Sequence, residues 1–208
     1  MNTEERVKWV YNSQNNQELA ERYDVWAKDY DRDLLDTFGR TLNDPSIQQV
    51  VKYVPKNARI LDAGAGTGMV GEYLHQQGYT NLTAIDISEG MLEEARKRNV
   101  YTELQQMVLG EPLAFPDDSF DAIISIGVFT VGHAPSSSFD ELIRITKPGG
   151  KIVFTMRPDF YESSDFKEKF AALETSGKWE LVDNDITYQA MPKAEPDVYL
   201  QVWVYRKC

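Results

Sequence analysis

The pattern of apolar and polar positions along the 208-residue chain changes its period several times, and each change marks an element. From residue 4 to about 40 the period is helical. Leu19, Tyr23, Trp26 and Tyr30 recur at spacings of four, three and four, which lines them along one helix face. That stripe either packs into a core or caps a ligand site, because large aromatics with polar tips are costly to bury fully. The acids on the other faces, Asp24, Asp29, Asp31 and Asp33, read as solvated surface. Asp44-Pro45-Ser46 opens the next helix with an acidic N-cap and a proline in the first turn. Ile47, Val50, Val51 and Val54 form its apolar face, and Pro55 stops it.

Apolar runs then alternate with helical stretches. Runs at 59–62, 82–87, 104–109, 122–126 and 151–156 predict five strands. A helix from about Gly68 turns Val70, Tyr73 and Leu74 inward and ends at Gly78. Ser88 caps a second, with Met91, Leu92 and Ala95 as its apolar positions. Ser138 and Glu141 make a capping box for a third, which carries Phe139, Leu142 and Ile143 and breaks at Lys147-Pro148-Gly149-Gly150. A further helix over 164–175 places Phe166, Phe170 and Leu173 on one side. Strands at 179–188 and 198–205 follow, joined by a polar loop with Pro192 and Pro196. Five strand–helix alternations and two final strands predict an α/β fold, a parallel sheet with a terminal antiparallel hairpin. With no repeat or linker, residues 1–208 read as one domain: an N-terminal helical cap over 1–42 and an α/β core over 43–208.

Charge and composition narrow the partners. The chain is 42% hydrophobic and 12% aromatic, enough for a sizeable core. With 22 basic against 33 acidic residues it carries a net charge of −11, which argues against nucleic acid or an anionic membrane as partner. The basic run Arg96-Lys97-Arg98 suits a helix C-terminus. One cysteine, Cys208, forms no intrachain disulfide, and His75 and His133 lack metal-ligand spacing. The run 122–131 is too short to span a bilayer, and the N-terminus shows no signal segment. A soluble cytoplasmic protein acting on a small molecule, without a metal, is the expectation.

The chemistry concentrates in Ile60-Leu61-Asp62-Ala63-Gly64-Ala65-Gly66-Thr67-Gly68, a strand that runs into a glycine turn and opens a helix. Asp86 stands 22 residues after Gly64, close to the interval for an acid gripping ribose hydroxyls. A carboxylate only accepts hydrogen bonds, and a diol offers two donors. The spacing Gly64-x-Gly66-x-Gly68 differs from the dinucleotide pattern, and Asp62 would repel a pyrophosphate while welcoming a cationic ligand. S-adenosylmethionine is such a ligand.

The Gly turn, Asp86-Ile87-Ser88, the run from Phe115 to Asp121 and Lys147-Pro148-Gly149-Gly150, in this order, resemble the motifs of class I S-adenosylmethionine-dependent methyltransferases. The likeness extends to their small-molecule, ubiquinone/menaquinone-type group. Tyr23-Asp24-x-Trp26-Ala27-x-Asp29-Tyr30-Asp31 and Leu109-Gly110-Glu111-Pro112-Leu113 resemble the Williams–Beuren-region methyltransferase-like proteins. The resemblance implies a Rossmann-like seven-stranded sheet of order 3-2-1-4-5-7-6, strand 7 antiparallel, flanked by helices. It implies that Asp62 and Gly64 face the methionine end of the cofactor, with Gly66 and Gly68 shaping the turn and Ala63 and Thr67 also in the cofactor site. Asp86 would bind the ribose, with Ile87 and Met91 on the adenine. Ile126 and Gly127 would border the cofactor, and Tyr23, Trp26 and Tyr30 would close over it. Many relatives carry an acid at the position of Leu109, so adenine recognition would fall to the backbone of Leu109 and Gly110, or to Glu111.

Methyl transfer from a sulfonium, leaving S-adenosylhomocysteine, needs few catalytic groups. His133, just past the fourth strand, is placed either as a general base or as a surface-loop histidine; His75 reads as structural. Tyr30, Phe129, His133, Arg157 and Tyr161 are the candidate acceptor contacts, Arg157 for an anionic group or as an exposed loop residue. Two other readings stand beside the enzyme: a cofactor-binding interaction module that turns nothing over, and a nicotinamide-dependent oxidoreductase.

Overall fold

The computed structural model describes residues 2–39, 44–193 and 196–208; the proposed cap–core boundary at 42/43 lies outside them. Five parallel strands form first: β1 (Ile60–Ala63), β2 (Leu82–Asp86), β3 (Glu103–Gln106), β4 (Phe120–Phe129) and β5 (Thr146–Met156). β6 (Trp179–Asp183), β7 (Thr187–Gln189) and β8 (Tyr199–Lys207) complete the sheet. Its order is β3-β2-β1-β4-β5-β8-β6, with the short β7 paired to β8. β8 runs antiparallel between β5 and β6. This is the expected 3-2-1-4-5-7-6 order, with one expected strand, 179–188, broken into β6 and β7.

Strands β1 and β2 are buried along their whole length, so helices must cover both faces. The described helices are α1 (Thr3–Tyr11), α2 (Asn16–Arg32), α3 (Pro45–Tyr53), α4 (Met69–Gln76), α5 (Glu89–Lys97), α6 (Ser138–Ile145), α7 (Pro158–Ser163) and α8 (Phe166–Thr175). One face packs Phe129, Phe139, Phe154, Phe170 and Trp179 into an aromatic core. The other buries Ile47, Val50, Leu74 and Tyr79 against β1, β2 and β8. A third cluster, Val10, Leu19, Trp26, Leu34 and Phe38, holds the N-terminal helices together. The chain crosses from β3 back to β4 beside β1. That reversal opens a crevice at the carboxyl ends of β1, β2 and β4.

Several expectations change. The N-terminal helical stretch divides in two, because Asn15 accepts from Glu18 N–H at 2.9 Å and starts a new helix. α2 then widens into a π-helical turn, Asp33–Thr37, closed by Phe38 N–H on the Asp33 carbonyl at 3.1 Å. The Ser138–Glu141 capping box does not form. Ser137 takes the cap position, while Glu141 instead accepts Leu113 N–H at 2.8 Å and pairs with Arg144 at 2.7 Å. Lys147–Gly150 end α6 as expected but already lie within β5, and α7 is an extra turn after β5.

Candidate active site

The cleft is built from the end of β1 outward. Gly64 and Ala65 donate their N–H groups to the Ile85 carbonyl at 2.8 and 3.0 Å, tying the turn to β2. Gly64 has φ +81°, and a Cβ there would lie 2.4 Å from a Val128 methyl, so only glycine lets β4 come this close. Gly66, at φ +55°, has open space where a side chain would stand, which leaves turn backbone facing the cleft. Asp62 itself is buried beneath the turn and accepts from the Tyr101 hydroxyl at 2.5 Å. Burial and Asp62 together push the Tyr101 phenol well above its usual 10. Gly71 makes room for that ring: a Cβ there would sit 2.1 Å from the Tyr101 oxygen.

Asp86 ends β2 and faces the cleft. Its carboxylate accepts Gly66 N–H at 2.7 Å and Ser88 N–H at 2.9 Å. Burial pushes its pKa up to about 6, against the pull of those backbone donors. Two carboxylate oxygens hold about four acceptor sites, so both keep capacity for further hydroxyl donors. Ile87, Met91, Met107, Val108 and Leu109 supply an apolar wall beside it. The whole cleft spans about 940 Å³ including its mouth.

α2 roofs the cleft, and Leu19, Tyr23 and Tyr30 line its underside. The Tyr23 hydroxyl meets His133 Nε2 at 2.8 Å, and His133 Nδ1 meets the Val131 carbonyl at 3.0 Å. A carbonyl only accepts, so Nδ1 carries the proton and Nε2 accepts from Tyr23. Burial lowers the His133 pKa, keeping the ring neutral, and raises the Tyr23 phenol well above 10.

Of the residues singled out in the sequence, Tyr23, Tyr30, Gly64, Gly66, Thr67 and Asp86 line the cleft. So do Ile87, Met91, Leu109, Ile126, Gly127 and His133. The others stand elsewhere. Trp26 is buried in the helical cluster and donates to Asp33 at 2.9 Å. Asp62 and Ala63 lie behind the turn, and Gly68 packs against Tyr101 and Ala95. Gly110 backs onto Pro135, and Glu111 is exposed. Phe129 belongs to the aromatic core. Arg157 pairs with Asp159 at 2.6 Å, and Tyr161 stacks on Trp203 with ring centroids 4.8 Å apart. Met69, Met107, Val108 and Val128 line the cleft without having been singled out, and so does Val70, expected only as an inward-facing helix position. Met69 opens the helix after the glycine turn, and Met107 follows β3, so their signal was position after a strand or turn. Among the described residues, no three His, Cys, Asp or Glu converge as metal ligands.

Comparison with known proteins places this geometry. A family model described as a methyltransferase domain matches residues 61–154. Methyltransferase-like protein 27 of Homo sapiens is 37% identical over 165 residues, 76% of this chain and 66% of that protein. An uncharacterized methyltransferase of Bacillus subtilis, YdaC, is 30% identical over 62% of this chain and 72% of its own length. The chain is a class I S-adenosylmethionine-dependent methyltransferase by family. A demethylmenaquinone methyltransferase of Clavibacter sepedonicus is 45% identical over 98 residues, 46% of this chain and 39% of that protein. The chain thus spans 66% of the length of the human relative and 39% of the Clavibacter one. Among solved structures, the cyclase SpnF superposes with a TM-score of 0.70 at 17% identity, covering 93% of this chain and 96% of that one. A TehB-like SAM-dependent methyltransferase of Corynebacterium glutamicum gives 0.65 at 20%, covering 90% and 99%. The family's methyl donor is S-adenosylmethionine. The cleft fits it on its own chemistry: an acceptor-only carboxylate at Asp86, an apolar wall for a flat base, and open turn backbone at Gly66.

Proposed function

We propose that the protein transfers a methyl group from S-adenosylmethionine to a small protic acceptor held under α2. One observation carries the reading: the Tyr23–His133 hydrogen bond lies in the same cleft as Asp86 and the glycine turn. The bound cofactor supplies a methyl carbon on a cationic sulfur, ready for in-line displacement. The chain's own contribution is alignment, worth about 7–11 kcal/mol when nucleophile and methyl are held at near-attack distance. Asp86 would grip the ribose, and Ile87, Met91 and Leu109 would flank the adenine.

Proton removal follows from the tautomer. The lone pair of His133 Nε2 is already directed at the Tyr23 hydroxyl. The acceptor's proton therefore moves onto Tyr23 Oη as the Tyr23 proton moves to Nε2. With the cofactor bound, the acceptor's lone pair would take the methyl carbon, the carbon–sulfur bonding pair would stay on sulfur, and His133 would hold the proton and its positive charge. Apart from Asn16, Thr67 and Asp86, the side chains lining the cleft are tyrosine, histidine, methionine and aliphatic, which suits an uncharged acceptor with an apolar body. Arg157, bound to Asp159 away from the cleft, is set aside as an anion clamp. The demethylmenaquinone relatives support a small-molecule acceptor. The lone exposed thiol of Cys208 suits a cytoplasmic setting, and no described helix is long and apolar enough to cross a membrane.

Incubation with methyl-labelled S-adenosylmethionine and a fractionated metabolite extract tests this directly. Label should enter a low-mass product, and Tyr23→Phe should slow its appearance about 100-fold, the lower end for a lost proton acceptor. The fold neighbour SpnF bears the name of a cyclase, so the fold alone does not fix transfer as the reaction. Cofactor binding with no labelled product from any fraction would favour the interaction-module reading.

A further inference from the structure

α2 carries the dipeptide Tyr-Asp twice, at 23–24 and at 30–31. Seven residues make nearly two helical turns, so the copies stand one above the other about 10.5 Å apart. Each tyrosine lines the cleft, and each aspartate reaches one of the loops that form its nucleotide end. Asp24 Oδ1 accepts from the Ser88 hydroxyl at 2.6 Å and from Gly90 N–H at 2.8 Å. Glycine is needed at 90, because a Cβ there would lie 2.8 Å from the Asp24 backbone. Asp31 accepts from the Thr67 hydroxyl and pairs with Arg98. Arg98 also donates through Nε to the Thr67 carbonyl at 2.6 Å and pairs with Glu72. Thr67 and Ser88 belong to the two loops that Asp86 joins through Gly66 N–H and Ser88 N–H.

We infer that Asp24 and Asp31 form a two-point latch that holds α2 closed over the bound cofactor, one point on each loop that grips it. The inference rests on the methyltransferase reading of the cleft. Neither aspartate lines the cleft, so both are positioning residues that act through Tyr23 and Tyr30. Their chemistry differs. Asp24 takes two neutral donors, which an asparagine oxygen would also satisfy. Asp31 takes a hydroxyl and a guanidinium, and the second needs the negative charge.

The latch is read from the dissociation rate of S-adenosylhomocysteine, measured by stopped-flow displacement. Asp24→Ala and Asp31→Ala should each speed release about ten-fold, the loss of a hydrogen-bonded contact. Asp24→Asn should release at the wild-type rate. Asp31→Asn should stay fast and lose the acceleration by salt that the wild type shows. Hydrogen exchange in the bound state should quicken over residues 16–32 in both alanine variants, with β1 and β2 unchanged. Release within two-fold of wild type in both alanine variants would overturn the latch, as would an Asp24→Asn as fast as Asp24→Ala. Failure of the wild type to bind S-adenosylhomocysteine would overturn the cofactor reading instead, and the latch with it.

Discussion

Asp86 carries a cost in the free protein. Its pKa, about 6 in the fold against an ordinary 3.8, means that the folded state holds its proton more tightly than the unfolded chain. Its contribution to stability is therefore full below the unfolded pKa and is lost as pH rises through about 6. At neutral pH that loss is about 3 kcal/mol, the free-energy equivalent of the raised pKa for this buried carboxylate. Ribose hydroxyls donating to the carboxylate favour its charged form and draw the pKa back down. Binding of S-adenosylhomocysteine should accordingly release a proton near pH 6 and weaken on acidification, approaching ten-fold per pH unit below the free-protein pKa. Calorimetric titrations from pH 5 to 8 would show this slope, and Asp86→Asn would flatten it. A wild-type affinity constant across that range would contradict ribose binding by Asp86. Asp86 and the glycine turn were both legible in the sequence, because strand, turn and acid lie within the 27 residues from Ile60 to Asp86 and their spacing is set by local geometry. Asp24 and Asp31 were not. Their partners Ser88 and Thr67 lie 64 and 36 residues away, and an aspartate on a polar helix face looks the same solvated or docked.

At the scale of elements, α2 resolves the double reading of its aromatic stripe by dividing it. Leu19 and Trp26 are buried in the helical cluster, although Leu19 also reaches the cleft wall, while Tyr23 and Tyr30 are only partly buried and line it. Tyr30 meets Trp26 edge-on with centroids 4.8 Å apart, so it has packing as well as a cleft face. Tyr30→Ala should weaken S-adenosylhomocysteine binding more than it lowers the melting temperature of the free protein; the reverse would return Tyr30 to core packing. Asp33, expected in solvent, instead accepts from Trp26 and from Arg6 at 2.7 Å and is 5% exposed. Buried in this way, it ties α1 to α2. Glu141 is a related case: its spacing from Ser138 fits a capping box, but Leu113 N–H, 28 residues away, and the neighbouring Arg144 take its carboxylate.

For the whole molecule, the succession of strands and helices was legible because each βα unit writes its own apolar run and breaker, whereas their order in the sheet was implied only by the family resemblance. The chain's return from β3 to β4 then places the crevice without further information. What the linear pattern lacked was the identity of the walls. Met69, Met107 and Val108 reach the cleft only because the turn, β3 and α2 converge there. The acceptor remains the property of those walls, whereas the donor is the property of the turn. The donor distinguishes a methyltransferase from a nicotinamide-dependent oxidoreductase. Melting the protein in S-adenosylhomocysteine and, separately, in NAD is the direct measurement. S-adenosylhomocysteine should stabilise the fold by about 2.7 kcal/mol at a hundred times its dissociation constant, and NAD should not stabilise it. Stabilisation by NAD alone would contradict the methyltransferase reading.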